Sequence, residues 1–110
     1  MKIILFGRYG MLGNYVYHKL SQYYDIIFFT RKEYDIESND YEKLNFLIKN
    51  IDVIINCAGI IPHKSTNIKE NISVNALFPQ LLNCICIQQN IKFIHITTDC
   101  VFSGDRGNYK

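Results

Sequence analysis

Short apolar runs alternate along the chain with longer segments in which apolar residues recur every three or four positions. The runs are typical of strands buried on both faces of a parallel sheet, and the longer segments are typical of amphipathic helices. The pattern predicts strands at 2–6, 26–30, 33–36, 51–56 and 92–97, the third of them very short, and helices at 11–22, 41–49 and 75–89. Strand–helix alternation of this kind favours an α/β fold built on a doubly wound parallel sheet.

Local signals refine two of the helices. Ser38 or Asn39 is expected to cap the helix at 41–49, because short polar side chains accept hydrogen bonds from the first free amides of a helix. Pro79 lies inside the helix at 75–89, where it removes a backbone donor and leaves the carbonyl of Asn75 without its helical partner. That helix is therefore expected to be opened locally at Asn75.

The composition is that of one ordinary soluble domain. The 110 residues are 48% apolar and include 8 Tyr and 7 Phe, which is enough for a packed core. The net charge of +2, without a block of like charge, gives no reason to expect nucleic acid or a membrane surface as a partner. The apolar runs fall well short of the roughly 20 residues that cross a bilayer, and the first residues do not resemble a signal peptide. We therefore expect a cytoplasmic protein, in its own cell or in a host.

Four cysteines, Cys57, Cys84, Cys86 and Cys100, lack the spacing of a zinc site. Inside a helix, Cys84 and Cys86 point to different faces. Without a secretory signal, reduced thiols are the expected state. The sequence therefore predicts buried, unreactive cysteines and no metal.

Three glycines follow the first predicted strand with the spacing Gly7-x-x-Gly10-x-x-Gly13. This spacing is one residue off the Gly-x-Gly-x-x-Gly fingerprint of dinucleotide-binding proteins, and glycines also end strands for simple turn reasons. The context decides between the two readings, because the loop directly follows a buried strand and opens a helix. Glycine there lets the backbone approach a pyrophosphate, and free helix amides face its charge. The loop therefore predicts dinucleotide binding.

The second predicted strand ends in Thr30, Arg31 and Lys32. NAD-binding proteins usually place an acidic residue there, about 20 residues beyond the glycine loop, to bind the ribose 2′-hydroxyl. A guanidinium instead pairs well with the 2′-phosphate of NADP, and Arg8 in the glycine loop is a candidate second clamp. The alternative is that Arg31 and Lys32 are solvated loop charges. NADP is the favoured cofactor.

Several short motifs occur in a fixed order along the chain: Gly7-x-x-Gly10-x-x-Gly13, Tyr-Asp-Ile at 34–36, Asn-Cys-Ala-Gly at 56–59, Val-Asn-Ala at 74–76 and Thr-Thr-Asp-Cys-Val-Phe-Ser-Gly at 97–104. Together they resemble the extended short-chain dehydrogenase/reductases, and within them the dTDP-4-dehydrorhamnose reductase branch. That branch reduces a 4-keto nucleotide sugar with NAD(P)H in dTDP-rhamnose biosynthesis. The resemblance covers the whole chain and implies that residues 1–110 are an NAD(P)-binding Rossmann domain.

The resemblance also implies roles for individual residues. Asp35 and Ile36 are implied to contact adenine, although Asp35 alternatively caps its own loop. Asn75 is implied to lie near the nicotinamide, and its alternative is an ordinary polar residue near a helix start. Thr98 is implied to be the catalytic hydroxyl that hydrogen-bonds the substrate carbonyl. With the loop, the predicted cofactor-binding set is Gly7, Arg8, Tyr9, Gly10, Met11, Leu12, Gly13, Arg31, Asp35, Ile36, Cys57, Ala58, Gly59, Asn75 and Thr97.

Members of that branch protonate the product with a tyrosine that is followed four residues later by a lysine. No Tyr-x-x-x-Lys follows residue 98 in this sequence. The resemblance thus implies a Rossmann sheet truncated after about five strands, without a substrate domain, that does not turn over alone. The strand at 92–97 is then an exposed apolar edge, which a homo-oligomer or a complementing chain would cover. Two alternatives stay open: a non-catalytic NADP-binding regulatory subunit and an inactive truncated product.

Overall fold

The computed structural model describes residues 1–58 and 73–96 of the chain. The strands in this part are β1 (Lys2–Phe6), β2 (Asp25–Ile27), β3 (Val53–Asn56) and β4 (Lys92–His95). The α-helices are α1 (Met11–Leu20), α2 (Tyr41–Leu47) and α3 (Phe78–Gln89). A 3₁₀ helix at Ile36–Ser38 precedes α2, and a π-helical turn at Ser73–Leu77 leads into α3.

The four strands form one parallel sheet in the order β2–β1–β3–β4. The chain moves from β1 outward to β2 and then returns to β3 on the other side of β1. The order of the strands therefore reverses at β1, and ligands of such sheets bind in the crevice at the carboxyl ends of the strands that flank this point. The predicted doubly wound parallel sheet is confirmed.

Alternate residues of the central strands are buried on opposite faces of the sheet, which is why their sequences read as continuous apolar runs. The larger cluster, against α2 and α3, contains Ile4, Phe6, Ile54, Leu44, Ile48, Phe78, Leu82 and Ile85. The smaller cluster, against α1, contains Ile3, Leu5, Val53 and Ile55, with Val16, Tyr17 and Leu20 of the helix packed on it. Helices thus cover both faces of the sheet.

The strand predicted at 26–30 is shorter than expected, since β2 ends at Ile27. Beyond it, the ring of Phe28 lies 5.8 Å from the rings of both Tyr9 and Tyr17. The carbonyl of Thr30 then accepts hydrogen bonds from the backbone N–H groups of Glu33 and Tyr34, which closes a turn. Packing of an aromatic ring against α1 and the glycine loop thus accompanies the early end of the strand.

The very short strand predicted at 33–36 is wrong. Tyr34 is 3% exposed and belongs to the larger core cluster, while Asp35 caps the 3₁₀ helix by accepting from the N–H of Glu37 at 3.1 Å. A turn that inserts a single aromatic residue into the core has the same local apolar alternation as a short strand. The sequence pattern does not distinguish the two.

The ends of the helices differ in detail from the prediction. The cap of α2 is Asp40, whose carboxylate accepts from the N–H of Lys43 at 3.1 Å, and not Ser38 or Asn39. The predicted irregularity before Pro79 corresponds to the π-helical turn, in which Asn75 lies. Within the described part of the chain, every helix is too short or too polar to reach across a bilayer.

Candidate functional site

Gly7 ends β1 and turns the chain with a φ of +83°. A Cβ at this position would lie 2.6 Å from the amide nitrogen of Ala58 and 2.6 Å from the carbonyl carbon of Cys57. The segment after β3 therefore runs directly against Gly7. Glycine is required here by its backbone angle and by the proximity of that segment.

Gly13 lies in the first turn of α1 and faces the same loop. A Cβ on Gly13 would lie 1.7 Å from the carbonyl oxygen of Gly7, a distance that real atoms do not adopt. The absence of a side chain thus allows α1 to start directly against the end of β1. Gly7 and Gly13 are both explained by packing within the chain.

Gly10 has no such explanation. A Cβ on Gly10 would meet only the carbonyl oxygen of Gly7, at an ordinary contact distance of 3.6 Å, and its φ of −76° suits any residue. Gly10 is the N-cap of α1, whose start has no side-chain cap and no acidic residue in the first turn. Open space at Gly10 beside uncapped helix amides fits an anion such as a pyrophosphate.

A pocket of about 270 Å³ is formed by the segment after β2, the 3₁₀ helix and the π-helical turn. Its lining residues are Phe29, Arg31, Tyr34, Asp35, Ile36, Glu37 and Val74. Apolar walls with a few charged groups are typical of small-molecule sites. A second pocket, of about 260 Å³, contains no charged residue and shares no lining residue with this one; it is lined by Asn39, Leu77, Gln80, Leu81 and Cys84.

Tyr34 is part of the pocket wall and also of the core. Its hydroxyl donates to the carbonyl of Asp40 at 3.3 Å, and its ring stacks on Phe78 at 6.2 Å between centroids. Burial raises the pKa of Tyr34, so its hydroxyl stays protonated at neutral pH. This tyrosine therefore supports the pocket as a neutral, fixed wall.

Three charged side chains meet at the rim of this pocket. Nε of Arg31 lies 3.8 Å from Oδ1 of Asp35, and its Nη2 lies 3.5 Å from Oε2 of Glu37. The Arg31 side chain is 73% exposed, so its guanidinium also faces solvent. The capping role that was the alternative for Asp35 is observed, since its Oδ1 accepts from the N–H of Glu37.

Arg8 is enclosed by aromatic rings. The carbon of its guanidinium lies 3.7 Å from the centroid of the Tyr17 ring, 4.7 Å from that of Tyr9 and 5.3 Å from that of Phe28. Its Nη1 donates to Oδ1 of Asn14 at 3.0 Å. Cation–π contacts of this kind stabilise a desolvated guanidinium. Arg8 therefore braces the glycine loop against α1 and the end of β2, and its role as a phosphate clamp stays a prediction.

The ends of β3 and β4 are joined by a polar pair, in which Asn56 is buried and His95 lies at the exposed end of β4. Asn56 is fully buried; its Oδ1 accepts from the N–H of Ala58 at 3.1 Å, and its Nδ2 lies 3.1 Å from Nδ1 of His95. Because the Ala58 amide fixes Oδ1 as the acceptor, Nδ2 donates and Nδ1 of His95 accepts. Burial lowers the pKa of His95. This neutral pair holds Ala58 in the position where it contacts Gly7.

Comparisons with known proteins identify the family of the chain. The sequence profile of the family described as the RmlD substrate binding domain matches residues 1–110. This chain belongs to the RmlD family. An RmlD relative from Mycobacterium tuberculosis, named dTDP-4-dehydrorhamnose reductase, is 30% identical over 109 residues, which cover 96% of this chain. The chain spans 35% of the length of that relative.

Solved structures similar to this RmlD chain have the same fold. A hypothetical dTDP-4-dehydrorhamnose reductase from Sulfolobus tokodaii aligns with a TM-score of 0.76 and 27% identity, over 100% of this chain and 44% of that one. The dTDP-4-dehydrorhamnose reductase from Bacillus anthracis, solved in complex with NADP, aligns with a TM-score of 0.70 and 22% identity. That alignment covers 84% of this chain and 34% of the other, and at this identity it supports the fold alone.

The predicted site residues fall into two groups in the structure. The glycine loop and the segment after β3 are in contact, because Gly7 lies against Cys57 and Ala58 on one side and against Gly13 on the other. The residues predicted at the adenosine end, Arg31, Asp35 and Ile36, line the charged pocket. Tyr9, Met11 and Asn75 are exposed and Leu12 is half-buried. The predicted residues Gly59, Thr97 and Thr98 lie outside the described part of the chain.

Four pocket residues were missed from sequence. Phe29 was assigned to the second strand, and Tyr34 and Val74 were noted only as parts of motifs. Glu37 reaches Arg31 because a turn at 31–33 and the 3₁₀ helix reverse the chain between them, and this has no signature in the spacing. The nearest available signal was the adjacent adenine motif at 34–36.

The cysteine prediction is correct in part. Cys86 is buried, and burial raises its pKa to about 11, whereas Cys57 is half-buried with a pKa raised for the same reason. Cys84 is exposed, so the expectation that it is buried is wrong. It lies on the opposite face of α3 from Cys86, as predicted, and that face meets solvent. Among residues 1–58 and 73–96, no three His, Cys, Asp or Glu side chains are grouped to hold a metal ion.

Proposed function

We propose that this chain binds NADP(H) at the carboxyl end of its sheet and belongs to a reductase that acts on a 4-keto nucleotide sugar. The observation that carries the proposal is Gly10. Packing requires glycine at positions 7 and 13 but not at 10, where a missing side chain leaves open space beside the uncapped start of α1. A pyrophosphate in that space accounts for the glycine at position 10, which packing does not require.

The residues fit the cofactor in three parts. The amides at the start of α1 and the backbone at Gly10 would bind the pyrophosphate. The pocket with Ile36 and Val74 in its wall would take the adenine, with the second carboxylate oxygen of Asp35 available to its exocyclic amine. Arg31, at the rim of the same pocket, would bind the 2′-phosphate. The neutral Asn56–His95 pair keeps the neighbouring backbone of Ala58 in position.

The reaction follows from the family and not from the described residues. The relative from Mycobacterium tuberculosis is named dTDP-4-dehydrorhamnose reductase, and the Bacillus anthracis reductase was solved with NADP. When bound, the nicotinamide supplies a hydride to the 4-keto carbon. We assign the substrate hydrogen bond to Thr98. A proton donor of the Tyr-x-x-x-Lys type does not occur after residue 98, so we expect turnover to require one from outside these 110 residues.

Fluorescence titration with NADPH and with NADH tests the binding proposal on the purified chain. Wild type is expected to bind NADPH with micromolar affinity. Arg31→Ala is expected to weaken NADPH by about tenfold, the low end for a charge-assisted contact because Arg31 is exposed, and to leave NADH unchanged. Lys43→Ala, which removes an exposed positive charge on α2, is the matched control. Absence of binding to either nucleotide would refute the proposal.

A further inference from the structure

Arg31 is not a free cation in this structure. Its guanidinium lies between two carboxylates, at 3.5 Å from that of Glu37 and 3.8 Å from that of Asp35. All three residues line the same pocket. The local formal charge of the trio is therefore negative, although the sequence around the end of β2 predicted a basic site.

The two carboxylates have different roles in the structure. Asp35 caps the 3₁₀ helix through the N–H of Glu37, so it is part of the backbone structure of the rim. Glu37 makes the shorter contact to Arg31, and its side chain is 35% exposed against 46% for Asp35. Its carboxylate is thus less screened by water, and it lies 3.5 Å from the guanidinium with which an incoming anion would pair.

A 2′-phosphate bound by Arg31 would have to compete with the Glu37 carboxylate and would stay within a few ångströms of it. Both effects oppose a doubly charged phosphate, since like charges repel and the ion pair must loosen. Neither effect acts on a 2′-hydroxyl, which carries no charge. The difference in affinity between NADPH and NADH is therefore expected to depend on Glu37.

We propose that Glu37 is a specificity-determining residue, an internal anion that occupies Arg31 and reduces the preference of this site for a 2′-phosphorylated dinucleotide. This inference rests on the proposed NADP(H) site. It predicts that wild type discriminates only weakly between NADPH and NADH. It also predicts that removal of the Glu37 charge, with the side chain kept, strengthens the discrimination.

The test measures the dissociation constants of NADPH and NADH for wild type, Glu37→Gln, Arg31→Ala and the double variant. Glu37→Gln is expected to tighten NADPH by about threefold to fivefold, the range of an exposed ion pair, and to leave NADH unchanged. In the Arg31→Ala background, the same substitution should give less than half of that gain, because Glu37 and the 2′-phosphate no longer compete for a guanidinium. The gain should shrink at high ionic strength.

Glu42→Gln is the matched control, because it removes one negative charge from the exposed first turn of α2 and is not part of the pocket lining. If wild type binds both nucleotides and Glu37→Gln changes NADPH affinity no more than Glu42→Gln does, the inference is overturned and the binding proposal stands. An equal gain for NADPH and NADH also overturns it. If wild type and Glu37→Gln bind neither nucleotide, the binding proposal fails and the inference fails with it.

Discussion

The same substitution at two glycines of one loop should have opposite consequences. In Gly13→Ala the new Cβ would lie 1.7 Å from the carbonyl oxygen of Gly7, and real Cβ contacts are essentially never under 3.0 Å, so α1 and the loop must separate by roughly 1.3 Å. Both partners are backbone and cannot rotate away. Overpacking of this kind costs about 3 kcal/mol of unfolding free energy or more.

In Gly10→Ala the new Cβ meets the same oxygen at 3.6 Å with a φ of −76°, so the folded chain accommodates it. Alanine is a poorer N-cap than glycine, but it also reduces the freedom of the unfolded chain. These terms are of similar size, and the free energy of unfolding should stay within about 1 kcal/mol of wild type. A methyl group in the space that we assign to the pyrophosphate should nevertheless weaken NADPH by about tenfold or more.

Urea unfolding followed by circular dichroism measures the first quantity, and NADPH fluorescence titration measures the second. The expected result is one variant that is unstable and one that is stable but deficient in binding. If Gly10→Ala unfolds as readily as Gly13→Ala, the geometry of the loop is wrong. If Gly10→Ala is stable and binds NADPH like wild type, no phosphate approaches Gly10 and the binding proposal loses its main support.

Two further predictions concern the cysteines of α3 and His95. Site-resolved alkylation followed by mass spectrometry should label exposed Cys84 readily in the native chain and leave Cys86 unlabelled until unfolding, because Cys86 is buried with a pKa of about 11; equal labelling of both would contradict the burial. Burial lowers the pKa of His95 below its unfolded value of 6.5, so its contribution to stability is complete above pH 6.5 and declines as the pH falls below it. The free energy of unfolding should therefore fall more between neutral and mildly acidic pH in wild type than in His95→Gln, and equal losses would show that the Asn56–His95 pair does not titrate as described.

Much of the fold could be predicted from sequence because the signals for it are local. Strand β1 has the predicted bounds, since its apolar run is closed by a glycine that turns the chain. The helices were found within a few residues of their ends because apolar periodicity extends over several turns. The prediction of a strand at 33–36 failed because four residues are too few to show a period. A turn that buries Tyr34 and a short strand have the same pattern of apolar and polar residues.

The candidate site was predictable only in part, for a related reason. The glycine loop follows from one strand, one turn and one helix in immediate succession, and its pattern is therefore visible. The rim of the pocket depends on how the turn at 31–33 and the 3₁₀ helix fold back, which decides that Glu37, and not a solvated lysine, accompanies Arg31. The neighbours of Arg31 along the sequence predicted a basic rim, whereas its neighbours in the structure, Asp35 and Glu37, give the rim a net negative charge.

The two features of the proposed site would act on different parts of a dinucleotide. In the proposed site, the space at Gly10 and the uncapped start of α1 would bind the pyrophosphate, which NAD and NADP share, so they would contribute affinity without selecting between the two. Selection is left to Arg31, the one rim cation among the residues lining the described pocket, and Glu37 and Asp35 already neutralise much of its charge. Affinity and selectivity are therefore separable in this chain: substitutions in the loop should change both dissociation constants together, and substitutions at the rim should change their ratio.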